Sequence, residues 1–273
     1  MGGFLLCLAV CFILRYACGS RNENGKGKGI GENIAWIDLP EEFAKVARKE
    51  EQPTDKVTTH SYQMMYGLFL VPLLHSNHRK SRGSKPFKML EIGLGCNMKY
   101  GPGKSVALWK KLLESEDSLW EAEVDEACVN SFKDTETFSG VNVLTGNQSD
   151  QNVLTRWIKE SNADQEKEPF EVIIDDGAHE NREIYDSFNG LFDAALAPGG
   201  LYFIEDMHVG RLDDWKDNTG EGVIMIEVIK DWQEQLVTAE HANASNFKHK
   251  ILSSIAWIAC FPHACVIAKK KVL

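Results

Sequence analysis

The stretch that decides the fold lies between residues 169 and 206. Residues 169–179 read PFEVIIDDGAH and residues 197–206 read APGGLYFIED, with a helical pattern between them. Each segment contains a short apolar run that ends in two acids. Short runs rich in β-branched and aromatic residues around a helix predict two parallel strands of a β-α-β unit. Because ligands bind beyond the carboxyl ends of such strands, we expect the acids to line a ligand site.

The acids that end the two runs are Asp175, Asp176, Glu205 and Asp206, and His179 follows three residues after Asp176. Four carboxylates at one edge of a sheet repel one another unless a cation lies among them. We therefore expect a cation site here, with His179 at its rim. The alternatives are structural: a histidine that hydrogen-bonds at a helix N-terminus, and a Glu-Asp pair that caps a helix or faces solvent.

Composition adds a few constraints. The chain has 273 residues and a formal net charge of −10, which argues against a nucleic-acid-binding surface and favours an ordinary enzyme or binding domain. It contains seven cysteines but no C-x-x-C pair, so we expect neither a zinc site nor a thioredoxin-type site. Cys260 and Cys265 could face each other across a hairpin, but burial as reduced thiols is the favoured interpretation.

Residues 1–19 are predicted to be a signal peptide or a membrane anchor, with anchoring through residues 3–18. The apolar run is short for a membrane span but fits the core of a signal peptide. Arg15 and Arg21 follow the run, which favours an uncleaved anchor with a cytosolic body. A buried N-terminal helix is the alternative. We expect a secretory-pathway or single-pass anchored protein, and we leave its topology open.

Two further segments precede the main domain. Residues 20–34 are rich in Gly, Lys and Asn, which predicts a flexible linker. Residues 35–86 are predicted to form an N-terminal helical cap, in which Pro40 opens one helix and a second helix is broken near Pro72. The predicted main domain occupies residues 87–273.

The main domain begins with a strand at residues 87–92 (FKMLEI), followed by GLGCNMKYGPG and a helix at 105–113. Strand, glycine turn and helix in this order are typical of nucleotide binding, because glycines let the backbone approach a ligand. The third glycine of the dinucleotide fingerprint is absent, and a tight structural turn is the alternative. The next predicted strand, 119–124, offers Glu123 or Asp125 to accept hydrogen bonds from a ribose.

The rest of the chain continues the alternation of strands and helices. The predicted elements are a strand (141–144), a helix capped by Asp150, a helix (184–195), a loop (210–220), a helix (223–236) and an antiparallel hairpin (251–259 and 264–268).

Five β/α units followed by a hairpin resemble the class I S-adenosylmethionine-dependent methyltransferase fold. That fold is a Rossmann-like α/β structure with a seven-stranded, mostly parallel sheet, a C-terminal antiparallel hairpin and helices on both faces. The motifs allow a narrower match, to the macrocin O-methyltransferase family of metal-dependent sugar O-methyltransferases. They are TDK and HSY between residues 54 and 62, LEIGLG at 90–95, GNQSD at 146–150, IIDDGAH at 173–179 and IED at 204–206.

The resemblance implies an S-adenosylmethionine cofactor and a Mg²⁺ or Mn²⁺ ion. The ion would be held by Asp176, Glu205 and Asp206, with His179 as general base. The cofactor site would comprise Glu91, Gly93, Gly95, Glu123, Asn147, Gln148 and Asp175. The chain departs from the family pattern at three positions, with Asn147 in place of Asp, Ala178 in place of Ser and Glu123 in place of Asp.

The chemistry fits these residues. A sulfonium methyl group is already activated, so the enzyme must mainly align an acceptor oxygen with it and help remove the proton of that oxygen. A divalent cation would lower the pKa of a bound hydroxyl. We therefore expect Mg-assisted O-methylation of a small hydroxylated molecule, which could be a glycoside; the acceptor and the oligomeric state are left open.

Two other functions are considered. The first is a nicotinamide-dependent Rossmann oxidoreductase, against which the absent third glycine and the terminal hairpin argue. The second is a non-catalytic anchored module that retains the fold, against which the intact acids and His179 argue.

Overall fold

The computed structural model describes residues 38–49, 53–75, 86–215, 222–238 and 247–271. The described residues belong to one compact unit that extends from Ala35 to Leu273. The predicted signal or anchor segment and the predicted linker lie outside them. Among the described residues, no helix combines the length and the apolar character that crossing a membrane requires.

A seven-stranded sheet forms the centre of the unit. In spatial order its strands are β3-β2-β1-β4-β5-β7-β6. β1 to β5 run parallel, whereas β7 is antiparallel to both of its neighbours. This confirms the predicted fold class. The strands are β1 (Lys88–Ile92), β2 (Ser118–Glu123), β3 (Asn142–Thr145), β4 (Phe170–Asp175), β5 (Leu196–Ile204), β6 (Ile255–Phe261) and β7 (Ala264–Lys269).

Helices cover both faces of the sheet. They are α1 (Leu39–Arg48), α2 (Asp55–Thr58), α3 (Gln63–Leu74), α4 (Lys104–Leu112), α5 (Glu126–Phe132), α6 (Gln151–Ser161), α7 (Asn181–Ala195) and α8 (Met225–Thr238). Tyr66 and Trp109 belong to one core, and Trp157, Phe188 and Trp232 to the other. The cap helices α1 and α3 therefore share a core with the sheet.

The central strands are buried on both faces, so neither shows a simple alternation of apolar and polar residues. β1 buries Lys88 and Glu91 as well as its apolar side chains. Ile92 pairs with Asp175, and Asp175 pairs with Ile204, so β1, β4 and β5 end at the same level. The acids that follow these strands are brought to one edge by this register.

Helix α3 runs through Pro72 to Leu74, so the predicted break is wrong. A proline removes one backbone donor, and so close to the helix end only a single turn follows it. That turn is closed by a hydrogen bond from the backbone N of His75 to the carbonyl of Val71. Burial of Val71 and Leu74 holds it in place.

All four cysteines within the described residues form disulfides, Cys96 with Cys128 and Cys260 with Cys265. The expectation of reduced thiols at Cys260 and Cys265 is therefore wrong. These two residues lie directly opposite each other in the β6–β7 register. The Cys96–Cys128 bond joins two different β/α units, so only the fold reveals it.

Candidate active site

A cleft of about 580 Å³ opens at the carboxyl ends of the central strands. Five segments line it. They are residues 54–56 at α2, residues 92–98 after β1, residues 122–125 at the end of β2, residues 146–148 after β3 and residues 176–179 after β4. The lining is completed by Tyr100, Lys104, Ser105, Glu183, Asp206 and Trp215.

Residues 93–103, which we call the glycine turn, form one wall of the cleft. Gly93 has a φ of +103°, and a Cβ atom there would lie 2.0 Å from the carbonyl oxygen of Asp176. Only glycine fits where the ends of β1 and β4 approach this closely. Gly95 also has a positive φ, +77°, and a Cβ atom there would meet only the Met98 side chain. Both predicted glycines line the cleft.

Glu123, at the end of β2, lies between the glycine turn and α5. Its Oε2 accepts a hydrogen bond from the backbone N of Leu94 at 3.2 Å, and its Oε1 accepts from the backbone N of Val124 at 2.8 Å. The competing acid, Asp125, caps α5 by accepting a hydrogen bond from the backbone N of Cys128 at 3.0 Å. Glu123 and Asp125 both line the cleft.

Asn147 and Gln148 line the cleft after β3. Asn147 is exposed, and its Oδ1 accepts hydrogen bonds from the backbone N and Oγ of Ser149. Gln148 is buried; it donates to Asp175 at 2.9 Å and accepts from the backbone N of Ala178 at 3.0 Å. Gln148 thus holds the segment after β4 against β3.

Two residues predicted to bind cofactor do not line the cleft. Glu91 is fully buried toward α4, where Ser105 and Trp109 donate to its Oε2 at 2.5 and 2.8 Å. Asp175 is buried on the opposite face, where Tyr202 donates to it at 3.1 Å and Ser187 also donates. Because side chains alternate along a strand, residues inside the strand ends point into the cores. The expected direct contacts of Glu91 and Asp175 with a cofactor are not supported by this placement.

The acids after β4 and β5 do meet. Asp176, His179 and Asp206 each offer one ligand atom, and these atoms lie within 4.8 Å of one another. His179 Nε2 is 3.9 Å from Asp176 Oδ1 and 3.6 Å from Asp206 Oδ2. His179 and Asp206 both have left-handed backbone conformations, with φ of 58° and 52°. Such conformations are uncommon for residues other than glycine and cluster at functional sites.

Glu205 is placed differently from its prediction as a metal ligand. It is buried behind the cleft, where Lys56 Nζ donates to its two carboxylate oxygens at 2.8 and 2.9 Å, and the Tyr66 hydroxyl also donates to it. Glu205 does not belong to the group of converging ligand atoms. The charged side chain that contacts Glu205 in the described part of the chain is that of Lys56.

Lys56 belongs to the TDK motif, but no pattern in the sequence assigned it a role in the site. Its Nζ lies 2.6 Å from Asp176 Oδ2 and 3.2 Å from Glu91 Oε1, and its side chain is 1% exposed. Burial alone would lower the pKa of Lys56, but the carboxylates of Asp176, Glu205 and Glu91 together raise it well above its ordinary value. Lys56 is therefore charged. Because it engages Oδ2 of Asp176, Oδ1 remains directed toward His179.

The buried acids outnumber this lysine. Burial raises the pKa of Glu205 well above its usual range, and it also raises the pKa of Glu91. Glu121 lies directly opposite Glu91 in the β1–β2 register, and both of its buried carboxylate oxygens lack a hydrogen-bond partner. Burial first, and then the charge of Glu91, raises the pKa of Glu121 well above its usual range.

Asp206 stays ionised in contrast. Burial would raise its pKa, but a hydrogen bond from the Tyr62 hydroxyl at 2.5 Å and the nearby His179, His60 and His208 lower it. His60 Nε2 and His208 Nδ1 lie 3.5 and 3.8 Å from Asp206 Oδ1. The motif HSY signalled His60 and Tyr62, whereas no pattern in the sequence signalled His208.

These donors fit a divalent cation. Two carboxylates and an imidazole converge at the rim of the cleft, and carboxylate oxygens are ligands that Mg²⁺ prefers. Asp206, whose pKa is lowered, also presents negative charge at the rim of the cleft, which further favours an added cation.

The order of the strands, the antiparallel β7 and the cleft beyond β1 to β4 define the class I S-adenosylmethionine-dependent methyltransferase fold. Two solved complexes of the MycE methyltransferase from the mycinamycin biosynthetic pathway share it, each with a TM-score of 0.58. One contains Mg and SAH, and the other contains Mg, SAH and mycinamycin VI. They cover 85% and 84% of this chain and 55% and 54% of the MycE chain, at 20% and 21% identity.

Three curated proteins are similar in sequence. They are mycinamicin VI 2''-O-methyltransferase of Micromonospora griseorubida (29% identity over 135 residues, 49% of this chain and 30% of the relative), demethylmacrocin O-methyltransferase of Streptomyces fradiae (27% over 135 residues, 49% and 30%) and L-olivosyl-oleandolide 3-O-methyltransferase of Streptomyces antibioticus (27% over 161 residues, 57% and 38%). The chain thus covers 30% to 38% of the length of these relatives. No family model matches the chain.

Proposed function

We propose that this protein is an S-adenosylmethionine-dependent O-methyltransferase that uses Mg²⁺ or Mn²⁺ and methylates a hydroxyl group of a small molecule. The observation that carries the proposal is the convergence of Asp176, His179 and Asp206 at the rim of a cleft walled by the glycine turn. The proposal is supported by the similarity to named O-methyltransferases and to MycE, which was solved with Mg and SAH.

The cofactor is assigned to the part of the cleft between β1, β2 and β3. The glycine turn lets its backbone approach the cofactor closely. Glu123 is assigned to the ribose hydroxyls in preference to Asp125, because its carboxylate is bonded to the glycine turn through the backbone N of Leu94, whereas that of Asp125 caps α5. Asn147 and Gln148 flank the adenine side. Glu91 and Asp175 support the site from the two cores rather than touching the cofactor.

The acid end of the cleft is assigned to the acceptor. Asp176 and Asp206 would hold the divalent cation, which, when bound, lowers the pKa of the acceptor hydroxyl. Lys56 fixes the Asp176 carboxylate through Oδ2, and Tyr62 fixes Asp206 through Oδ1. His179, which lines the cleft beside both acids, accepts at Nε2 the proton that the acceptor oxygen loses. Glu205 acts indirectly, by holding Lys56.

The acceptor class is proposed from the relatives alone. By their names, the curated relatives are O-methyltransferases of mycinamicin VI, demethylmacrocin and L-olivosyl-oleandolide, two of them acting at a numbered oxygen position. We infer that a hydroxylated small molecule, including glycosides, is the acceptor of this protein.

We also propose that the body of the protein lies in an oxidising compartment. All four cysteines of the described residues are disulfide-bonded, and disulfides persist in secreted and lumenal proteins rather than in the cytosol. The apolar run within residues 3–18 is consistent with entry into the secretory pathway. This placement replaces the cytosolic body that the positive residues after the run favoured. Rapid alkylation of native cell extracts followed by mass spectrometry should find these four cysteines unlabelled, because a disulfide does not react with the alkylating reagent.

Calorimetry with S-adenosylhomocysteine, with and without Mg²⁺, tests the proposed function. We expect saturable binding of S-adenosylhomocysteine and separate, saturable binding of Mg²⁺. Binding of NADH with no binding of S-adenosylhomocysteine would instead favour the oxidoreductase alternative.

A further inference from the structure

The Cys96–Cys128 disulfide lies beside the proposed cofactor site. Cys96 belongs to the glycine turn and lines the cleft. Cys128 lies in α5, whose N-cap residue Asp125 lines the cleft as well. The bond therefore joins two walls of the cleft that come from different β/α units, 32 residues apart in the sequence.

The glycine turn is anchored at its start, where Leu94 is buried and the backbone N of Gly93 bonds to Ala122, but its exposed part and α5 have few buried contacts. Residues 97–100 of the glycine turn are exposed, and two of its backbone hydrogen bonds, from Met98 and Gly101, stay within the turn. Helix α5 has seven residues and buries one side chain, Val129. Segments with few buried apolar contacts open at low cost in free energy. A covalent link between them limits such opening.

Glu123 depends on both segments at once. Its carboxylate accepts a hydrogen bond from the backbone N of Leu94, in the glycine turn, and others from the backbone N atoms of Val124 and Asp125, at the start of α5. Separation of the two segments would pull these donors apart. The orientation of the Glu123 carboxylate, which is proposed to accept hydrogen bonds from the ribose, therefore depends on the distance between the glycine turn and α5. The disulfide fixes that distance.

We propose that the Cys96–Cys128 disulfide is a positioning element of the cofactor site, which holds the glycine turn and α5 at the spacing that cofactor binding requires. The inference rests on the proposed function of the cleft. A site that is rigid before binding loses less conformational freedom on binding, so the bond should raise affinity for the cofactor. It should leave the acid end of the cleft, at β4 and β5, unaffected.

Reduction by dithiothreitol provides the test. The disulfide takes up two electrons and two protons and becomes two thiols, while dithiothreitol closes to its own cyclic disulfide. The full chain is compared with Cys96→Ser/Cys128→Ser and with the matched control Cys260→Ser/Cys265→Ser. The control removes a disulfide at the β6–β7 hairpin, where neither cysteine lines the cleft. Calorimetry measures affinities for S-adenosylhomocysteine and, separately, for Mg²⁺.

We expect reduction to weaken S-adenosylhomocysteine binding by about tenfold in the parent and in the control variant, with unchanged Mg²⁺ affinity. Reoxidation should restore the parent. The Cys96→Ser/Cys128→Ser variant should bind weakly whether or not reductant is present, and in turnover it should show a raised KM for the cofactor with kcat nearly preserved.

Equal affinity of the oxidised and reduced parent for S-adenosylhomocysteine would overturn the positioning role and leave the proposed function standing. An oxidised parent that does not bind at all would overturn both. Circular dichroism of the reduced parent is the folding control, and a loss of secondary structure on reduction would also overturn the inference, because the bond would then stabilise the fold as a whole.

Discussion

The two ends of the cleft are built in different ways. The end formed by β1, β2 and β3 consists mostly of backbone: a glycine turn, strand termini, and side chains such as Glu123 whose partners are neighbouring backbone N atoms. The end formed by β4 and β5 consists of charges that meet from distant parts of the chain. There, Lys56 contacts Asp176 and Glu205, which lie 120 and 149 residues away in the sequence.

The difference in construction between the two ends matches two different tasks, cofactor binding and removal of a proton from the acceptor. A cofactor that carries many hydrogen-bonding groups can be bound by backbone N–H and carbonyl groups that approach it closely. Charged side chains are not required for this. An acceptor hydroxyl that must lose a proton needs concentrated charge and a base. We therefore expect changes at the acid end to affect turnover and metal binding, and changes at the glycine end to affect cofactor affinity.

Metal removal should have the largest effect. Chelation with EDTA should abolish turnover, because the acceptor hydroxyl would keep its ordinary pKa and the acids would repel one another. Added Mg²⁺ or Mn²⁺ should restore activity. Methyl transfer from labelled S-adenosylmethionine measures it. Full turnover in the presence of EDTA would show that the reaction does not require a metal ion.

His179→Ala should slow turnover by roughly 10²–10⁴-fold if His179 is the general base. Binding of Mg²⁺ and of S-adenosylhomocysteine should change little, and a rise in pH should partly restore the rate, because solvent hydroxide can take the proton. His249→Ala, in a residue that does not line the cleft, is the matched control. Loss of cofactor binding in the His179 variant would indicate a structural histidine instead.

Glu121→Gln should stabilise the protein near neutral pH, because glutamine keeps the size of the side chain but has no proton that the unfolded chain can release. A carboxyl whose pKa is raised on folding costs nothing where both states are protonated, well below the ordinary value of 4.5. Its cost grows as the pH rises above that value, because only the unfolded chain then releases the proton. Thermal melts of parent and variant should therefore converge toward pH 4 and diverge toward pH 8.

Asn147 should carry no glycan, although Asn147-Gln148-Ser149 is an acceptor pattern. Its side chain bonds to Ser149 at the edge of the cleft, where a glycan would exclude the cofactor. Asn243, in a second such pattern, lies outside the described residues and could be modified. Peptide mapping of the active protein from its native host measures both sites, and a glycan on Asn147 would contradict the cofactor placement.

The sequence predicted the glycine end well because its signals are local. Strand, turn and helix follow one another directly, so local patterns predict that Gly93, Gly95, Glu123, Asn147 and Gln148 lie at the cleft, where the structure has them. The side chains of Glu91 and Asp175 are buried and do not line the cleft, and the sequence does not show this because both of their strands are buried on both faces.

The acid end was less predictable because its pairings are long-range. The motifs marked Asp176, Glu205 and Asp206 alike, but they could not show that Lys56 reaches across from α2 to contact two of them. The same holds for Cys96 and Cys128, whose separation in sequence carries no sign of their contact. Such pairings exist only once the sheet has set the register of its strands.

The central claim is the division of the cleft into a cofactor end and a metal end, and one paired measurement tests it most directly. The affinities of Asp176→Asn and Glu123→Gln for Mg²⁺ and for S-adenosylhomocysteine are determined by calorimetry beside those of the parent. We predict that Asp176→Asn loses most Mg²⁺ affinity and keeps its cofactor affinity, whereas Glu123→Gln loses about tenfold or more in cofactor affinity and keeps its Mg²⁺ affinity. Parallel losses of both ligands in either variant would contradict the division.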